Sequence, residues 1–186
     1  MAIKPILFNT EMVQAILDGR KSCTRRLVKP QPTAHYGAQC IKPPYQPGDI
    51  LYVRETWKKA PNGYYYYESW QRNDIADVTK WKPSIHMPKK AARIWLKVTD
   101  VRVERLQEIT EDGAKAEGIN DEWACSWWRP TYYDPDSGRY PRYRDTFAFD
   151  LWDSTIKKSD IDRYGWNANP WVWVIEFERC EKPEGV

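Results

Sequence analysis

Gly48-Asp49-Ile50-Leu51-Tyr52-Val53-Arg54-Glu55-Thr56-Trp57 is the stretch whose reading decides the fold. Pro47-Gly48-Asp49 is a turn, and it opens a strand predicted from residue 50 to about 57. Alternation places Ile50, Tyr52 and Arg54 on one face and Leu51, Val53, Glu55 and Trp57 on the other. Either face carries a charge beside apolar residues, and an ionised group inside a core needs a partner.

Toward the N-terminus, residues 29–48 hold Pro30, Pro32, Pro43, Pro44 and Pro47 and read as a loop. Before it, Met12, Val13, Ile16 and Leu17 recur at helical spacing. Thr10 suits the N-cap and Gly19 the position just past the end, so a helix is predicted over about 11–18. Residues 3–8 are apolar with Pro5 inside, which fits an edge strand.

Toward the C-terminus, a first polar, aromatic and basic insertion covers about 58–92, with a hairpin turn at Pro61-Asn62-Gly63. A long strand is predicted over about 92–105. Ile94, Leu96 and Val98 share one face of it, but Val101 and Val103 are out of phase, so a bulge is expected near Thr99-Asp100. Thr110 then caps a short helix that ends near Gly118. Glu117 falls in its last turn, at the negative end of the helix dipole, so a cationic partner is expected for it elsewhere in the chain. A second aromatic-rich insertion covers about 120–144. A helix starts at Asp145 or Thr146, with Ala148, Leu151, Trp152 and Thr155 at helical spacing. After a turn at 167–170, Trp171, Trp173, Ile175 and Phe177 alternate in a closing strand over 171–179. Strands scattered among short helices give an α+β chain, with a small barrel expected.

The length of 186 residues suits one domain, 1–186, and 41% hydrophobic residues is enough for a core. With 30% charged residues and no apolar run near the ~18 residues of a spanning helix, a membrane protein is excluded as an expectation. No signal peptide is read at the N-terminus, so a cytoplasmic location is the default. A net charge of +3 permits nucleic-acid binding without demanding it. The aromatics say more: 11 Trp, 12 Tyr and 4 Phe, many in polar surroundings such as Tyr64, Tyr65, Tyr66, Tyr67, Trp127, Trp128, Tyr132 and Tyr133. They read either as packing under long loops or as a stacking surface for bases. Cys23, Cys40, Cys125 and Cys180 form no C-x-x-C pair, and His35 and His86 lie far apart, so no metal and no cofactor are expected and the cysteines read as free thiols.

The chemistry-bearing segment is Gly19-Arg20-Lys21-Ser22-Cys23-Thr24-Arg25-Arg26, which leaves the C-terminal end of the first helix. Lys21 and Thr24 are the parts needed to activate a hydroxyl nucleophile, and Arg20, Arg25 and Arg26 are the parts needed to hold a phosphate. These three arginines with Lys29, Lys89, Lys90 and Arg93 form either a positive track for phosphates or a solvated basic surface. Arg54, Glu55 and Trp57 read as a second part of the site, an edge-reading and base-stacking group, or as a strand end with an ion pair and a core Trp. His86, between prolines in a basic loop, reads as a phosphate or substrate contact or as solvated.

The chain resembles ASCH domain proteins, the small PUA-like β-barrels, and in particular their longer phage- or prophage-borne branch. The resemblance is carried by Lys4-Pro5-Ile6-Leu7-Phe8, by Ala15-Ile16-Leu17-Asp18-Gly19-Arg20-Lys21 with Thr24-Arg25-Arg26, and by residues 48–57. It continues through Pro83-Ser84-Ile85-His86-Met87-Pro88, Val98-Thr99-Asp100-Val101 and Asn169-Pro170-Trp171-Val172-Trp173-Val174-Ile175-Glu176-Phe177. The two insertions are elaborations that smaller members lack. The resemblance implies a PUA-like mixed β-barrel with flanking short helices, binding RNA, single-stranded nucleic acid or a nucleotide in a cleft lined by residues 19–26.

One small bacterial branch removes acetyl from acetylcytidine. Its Gly-Arg-Lys-x-x-Thr motif is matched by Gly19, Arg20, Lys21 and Thr24, and its glutamate, in the helix after the long central strand, by Glu117. The resemblance thus implies an alternative in which the chain is a hydrolase on a modified cytidine nucleoside, with Thr24 as nucleophile, Lys21 as base and Glu117 as orienter or proton shuttle. Another branch is a ribonuclease. A third reading gives the Trp/Tyr-rich insertions a protein partner.

Overall fold

The computed structural model describes residues 1–33, 37, 41–71, 80–126 and 143–185. The expectations for His35, Cys40, the Cys125 thiol, Trp127, Trp128, Tyr132 and Tyr133 fall outside the described residues, as do 72–79 and 127–142 of the two insertions. In chain order the strands are β1 (Ile3–Leu7), β2 (Cys23–Leu27), β3 (Ile50–Arg54), β4 (Trp57–Ala60), β5 (Gly63–Tyr66), β6 (Trp95–Arg105) and β7 (Trp171–Cys180). The helices that matter below are α1 (Thr10–Leu17), α2 (Tyr67–Gln71), α3 (Glu111–Ala116) and α4 (Asp121–Ser126).

The architecture is α+β. One sheet has the strand order β1-β3-β6-β7-β2, and β4 pairs with β5 in a separate two-stranded sheet. The five-stranded sheet is open, with β1 and β2 at its ends, and does not close into the small barrel expected from the sequence. Pro5 in β1 has no N–H to give, which suits an end strand that pairs on one side only. Among the described residues no helix is long and apolar enough to cross a membrane. The chain divides into two compact units.

The first unit is Met1–Gly19, Gln46–Thr99 and Phe177–Val186. β3 is its centre, parallel to β1 from Ile3↔Ile50 to Leu7↔Arg54 and antiparallel to β6 from Ile50↔Lys97 to Tyr52↔Trp95. Ile50 to Val53 are buried on both faces, as a strand with two neighbours should be. The strand expected to run to residue 57 stops at Arg54, and Trp57 opens β4. The hairpin turn is where the sequence placed it, with Ala60↔Gly63 closing β4 on β5.

α1 buries Met12, Val13, Ala15 and Ile16, and Gly19 follows it at φ +75, a conformation that favours glycine. Its N-cap is Asn9, not Thr10. The extended Asn9 turns its side-chain oxygen onto the Met12 N–H at 2.9 Å, which makes Thr10 the first helical residue.

Asp49 ties the N-terminus down. Its carboxylate accepts from Lys4 Nζ at 2.7 Å, Ala2 N at 2.9 Å and Gln46 N at 3.1 Å. The Lys4 hydrogen bond, helped by those two amides and by the Lys4 charge, holds the Asp49 carboxyl below its ordinary value against the effect of burial. The stabilisation is therefore present above the unfolded carboxylate pKa and is lost as pH falls through the lowered folded value. Asp49→Asn is expected to flatten the acid limb of the stability–pH curve. Urea midpoints at about pH 3 and pH 6 check it, and an unchanged slope would contradict it.

The second unit is Arg20–Tyr45 and Asp100–Glu176. The division within β6 falls at Thr99–Asp100, the place where the apolar alternation changes phase. β2 runs antiparallel to β7, from Cys23↔Glu176 to Leu27↔Val172. β7 is buried continuously from Trp171 to Ile175. α3 is capped as the sequence predicts, Thr110 Oγ1 accepting from Gly113 N at 3.0 Å. The later helix is already formed at Tyr143, passes through a π-helical stretch at Thr146–Trp152 that buries Phe147, Ala148, Leu151 and Trp152, and ends at Thr155. At the turn before β7, Asn169 adopts φ +46, and Arg105 donates to its carbonyl at 2.9 Å while lying 4.3 Å over the Trp171 ring.

Candidate functional site

The segment that leaves Gly19 docks on the C-terminal end of α3. Ser22 N donates to Ala116 O at 2.9 Å, Lys21 Nζ to Glu117 O at 2.8 Å, and Arg20 Nη1 to Gly118 O at 2.6 Å. These are the carbonyls that a helix end leaves without partners, and two of the three donors are cations placed at the negative end of the dipole.

Glu117 is the C-cap residue of α3, and its carboxylate is held by two cations. Oε2 accepts from Lys21 Nζ at 2.6 Å and Oε1 from Arg25 Nη1 at 3.2 Å. The cationic partner that the sequence required for Glu117 is thus a pair. All three side chains are sealed from water, with exposures of 1% for Lys21 and 3% for Glu117 and Arg25. Charges this deep lose their hydration, and mutual pairing offsets that loss. Arg25 also reaches Glu104 at 3.6 Å and lies 5.7 Å over the Phe147 ring. Gly113 leaves room for it, since a Cβ there would stand 3.3 Å from Arg25 Nη2.

Cys23 lies in the same cluster, its Sγ 3.9 Å from Gly113 O and 3.9 Å from Arg25 Nη1. Burial, reinforced by the Glu117 charge, pushes its thiol up to about 12, so it is an unreactive thiol at neutral pH. Thr24 is buried in β2 opposite Ile175. Strand alternation turns it to the face opposite Cys23 and Arg25, the two residues that meet the α3 side. Arg26 is half-buried. Burial lowers its pKa, and the attraction of Tyr45 and Glu117 partly offsets that.

Beside the cluster lies an open hollow of about 520 Å³. Arg20, Lys115, Asn120 and Tyr143 line it with Asp121 and Glu122. Arg20 precedes Lys21 in the chain, and Asn120 is three residues past Glu117, so the hollow opens next to both members of the buried pair. Lys115 Nζ stands 4.6 Å from the centre of the Tyr143 ring. Apart from Arg20, the sequence reading did not single these residues out. Lys115 and Asn120 carry no motif of their own, and only their distance from Glu117 along the chain signals them.

The remaining candidates belong to the first unit. Glu55 is buried and receives both arms of Arg93, at 2.9 and 2.8 Å, so its partner is Arg93 and not its neighbour Arg54. Arg93 also reaches Glu68 at 3.1 Å and lies 4.2 Å over the Tyr66 ring. Burial raises the Glu55 carboxyl above its ordinary range, and the bonds and charge of Arg93 pull it partly back. Arg25 and Arg93, read from sequence as part of a positive track, are both committed to carboxylates. Arg54 is half-buried and donates to Ile85 O at 3.3 Å. Trp57 is buried against Met87 and Ala91, with Tyr64 at 5.9 Å and Lys82 Nζ 5.2 Å over its ring. His86 is exposed at the end of the helical turn Ser84–His86. Among the described residues no cluster of His, Cys, Asp and Glu could hold a metal ion.

No family model matches the chain, and no curated protein does. Among solved structures it is similar to an ASCH domain from Lactobacillus crispatus, at 15% identity and a TM-score of 0.41 over 96% of this chain and 79% of that one. It is similar to a hypothetical protein at 15% identity and a TM-score of 0.41, over 97% of this chain and 100% of that one. A protein from Enterococcus faecalis matches at 11% identity and a TM-score of 0.44, over 97% of this chain and 76% of that one. The chain thus resembles ASCH domain proteins in its motifs, and an ASCH domain stands among the solved structures to which it is similar.

Proposed function

We propose that the chain is a nucleic-acid- or nucleotide-binding protein of the ASCH, PUA-like type, and that its site is the hollow beside the Lys21–Glu117–Arg25 cluster. The observation that carries this reading is the make-up of the hollow. Its volume of about 520 Å³ suits one nucleotide. Arg20 and Lys115 supply cations for a phosphate, Tyr143 a ring for a base, and Asp121 and Glu122 acceptors for an exocyclic amino group such as that of cytosine. The buried cluster fixes the floor: Lys21 and Arg20 hold the end of α3, so the residues that follow Glu117 are placed rigidly.

Titration with cytidine monophosphate and with single-stranded RNA at two salt concentrations tests the reading. The expected result is saturable binding that weakens as salt rises, and a loss of about tenfold on Arg20→Ala or Lys115→Ala. Absence of binding at low salt would sink it.

The Lys21–Glu117 contact of 2.6 Å favours a second reading, hydrolysis of a modified cytidine nucleoside or of RNA. In that reading Glu117 takes a proton from Lys21 and frees the amine to act as base on the Thr24 hydroxyl. Because alternation turns Thr24 away from the Cys23 and Arg25 side, β2 would have to shift for the hydroxyl to reach the amine. Turnover of acetylcytidine or labelled RNA by the wild type and its loss in Lys21→Ala are the expected signs. Equal turnover in the two proteins would exclude the mechanism.

A further inference from the structure

The β4–β5 hairpin of the first unit uses its two faces differently. Trp57, Tyr64 and Tyr66 turn inward onto Met87, Ala91 and Ala92. Tyr65, paired across the strands with Lys58, falls on the other face. From Tyr65 a chain of rings continues edge to face: Tyr65 to Trp70 at 5.7 Å, Trp70 to Trp81 at 5.7 Å, and Trp81 to Tyr67 at 5.5 Å. All four rings are half-buried, so each keeps part of its surface in water. Around them Lys59, Lys80, Lys82, Lys89 and Lys90 are exposed. The acidic residue among the described residues of 57–93 is Glu68, and it is buried on Arg93.

We propose that this hairpin, with α2 and Trp81, is a second surface for single-stranded nucleic acid, on which bases stack against Tyr65, Tyr67, Trp70 and Trp81 while the surrounding lysines hold the phosphates. It presupposes the nucleic-acid reading above and adds a site to it. Two features together select this ligand. Half-exposed rings in sequence offer π-surface to bases of any identity. A rim of lysines without an exposed carboxylate, among the described residues, favours a polyanion. An acidic peptide would use the lysines but gives the rings nothing to stack on, and an apolar partner would leave the lysines idle.

The test is anisotropy of a labelled oligouridine of about 15 nucleotides with the full chain, at low salt and at about 0.2 M salt. Trp70→Ala is expected to weaken binding about tenfold or more, with Trp70→Phe losing less because a ring remains. The double variant Lys59→Ala/Lys80→Ala touches exposed side chains only and is expected to lower the salt slope by about two. Arg20→Ala is run beside them as the probe of the hollow. If Trp70→Ala fails to fold by circular dichroism, the lysine pair decides. Wild-type affinity and slope in the lysine pair and in any folded Trp70 variant, with binding lost in Arg20→Ala, would overturn the second surface and leave the hollow standing. No binding of the oligonucleotide by the wild type, or binding of an acidic peptide in its place, would overturn both.

Discussion

Glu117→Ala is expected to lower the stability of the protein by about 3–5 kcal/mol. The carboxylate neutralises two side chains, Lys21 and Arg25, that are as deeply buried as it is itself. Truncation leaves both cations in a poorly solvating interior, with the hydrogen bonds to Oε1 and Oε2 gone. For a chain of this size the loss corresponds to a fall in Tm of about 10 °C. Glu117→Gln keeps the shape and one acceptor and is expected to fall between the wild type and the alanine variant. Replacing all three members by apolar residues, Lys21→Met, Arg25→Met and Glu117→Leu together, is expected to cost less than Glu117→Ala alone, because no charge is then stranded. Urea denaturation checks the series. A cost below about 1 kcal/mol for Glu117→Ala would show that the cluster opens to water and is not the sealed unit described here.

Arg93→Met is expected to destabilise by about 3 kcal/mol near pH 8 and by much less near pH 5. Arg93 stands between two buried carboxylates, Glu55 and Glu68, and both accept from the same Nη2 atom. Even with Arg93 in place, burial keeps the Glu55 carboxyl above its ordinary range. A carboxyl with a raised folded pKa binds more protons in the folded than in the unfolded state. Its effect on stability is therefore most favourable at low pH and worsens as pH climbs from the unfolded value of about 4.3 through the raised one. Removing the guanidinium takes away the attraction that opposes burial and pushes Glu55 further up. At about pH 5 Glu55 is then protonated and most of the cost disappears, while near pH 8 two carboxylates face each other without a cation. Chemical denaturation of wild type and variant at both pH values reads the difference directly. An equal loss at the two values would mean that Arg93 acts through its packing on Tyr66 and not through charge.

Local features of the chain were legible in its sequence. α1 and its closing Gly19, the hairpin at Pro61-Asn62-Gly63, the Thr110 cap and the change of phase at Thr99–Asp100 each rest on a few neighbouring residues whose chemistry has one local solution. Glu117 was legible in a stronger sense, because a carboxylate at the wrong end of a helix announces a missing cation. Asn9 was missed since two good capping residues stand side by side, and the choice between them depends on where the chain enters the helix. The partners themselves were not legible. Arg93 meets Glu55 across 38 residues and Lys21 meets Glu117 across 96, so only the assembled fold brings them together. The closure of the sheet was also beyond local reading, since strand number and alternation are alike in an open sheet and a small barrel. Thr24 shows the limit from the other side. The spacing of Lys21 and Thr24 reads as a nucleophile and its base, but β2 turns alternate residues to opposite faces.

The central claim is that a nucleotide sits in the hollow beside the Lys21–Glu117–Arg25 cluster. Amide and side-chain NMR shifts followed during a titration with cytidine monophosphate test it most directly. The expected result is a saturable set of shifts centred on Arg20, Lys115, Asn120 and Tyr143, spreading to Glu117 and Gly118. Shifts confined to other residues, or none at millimolar nucleotide, would contradict it.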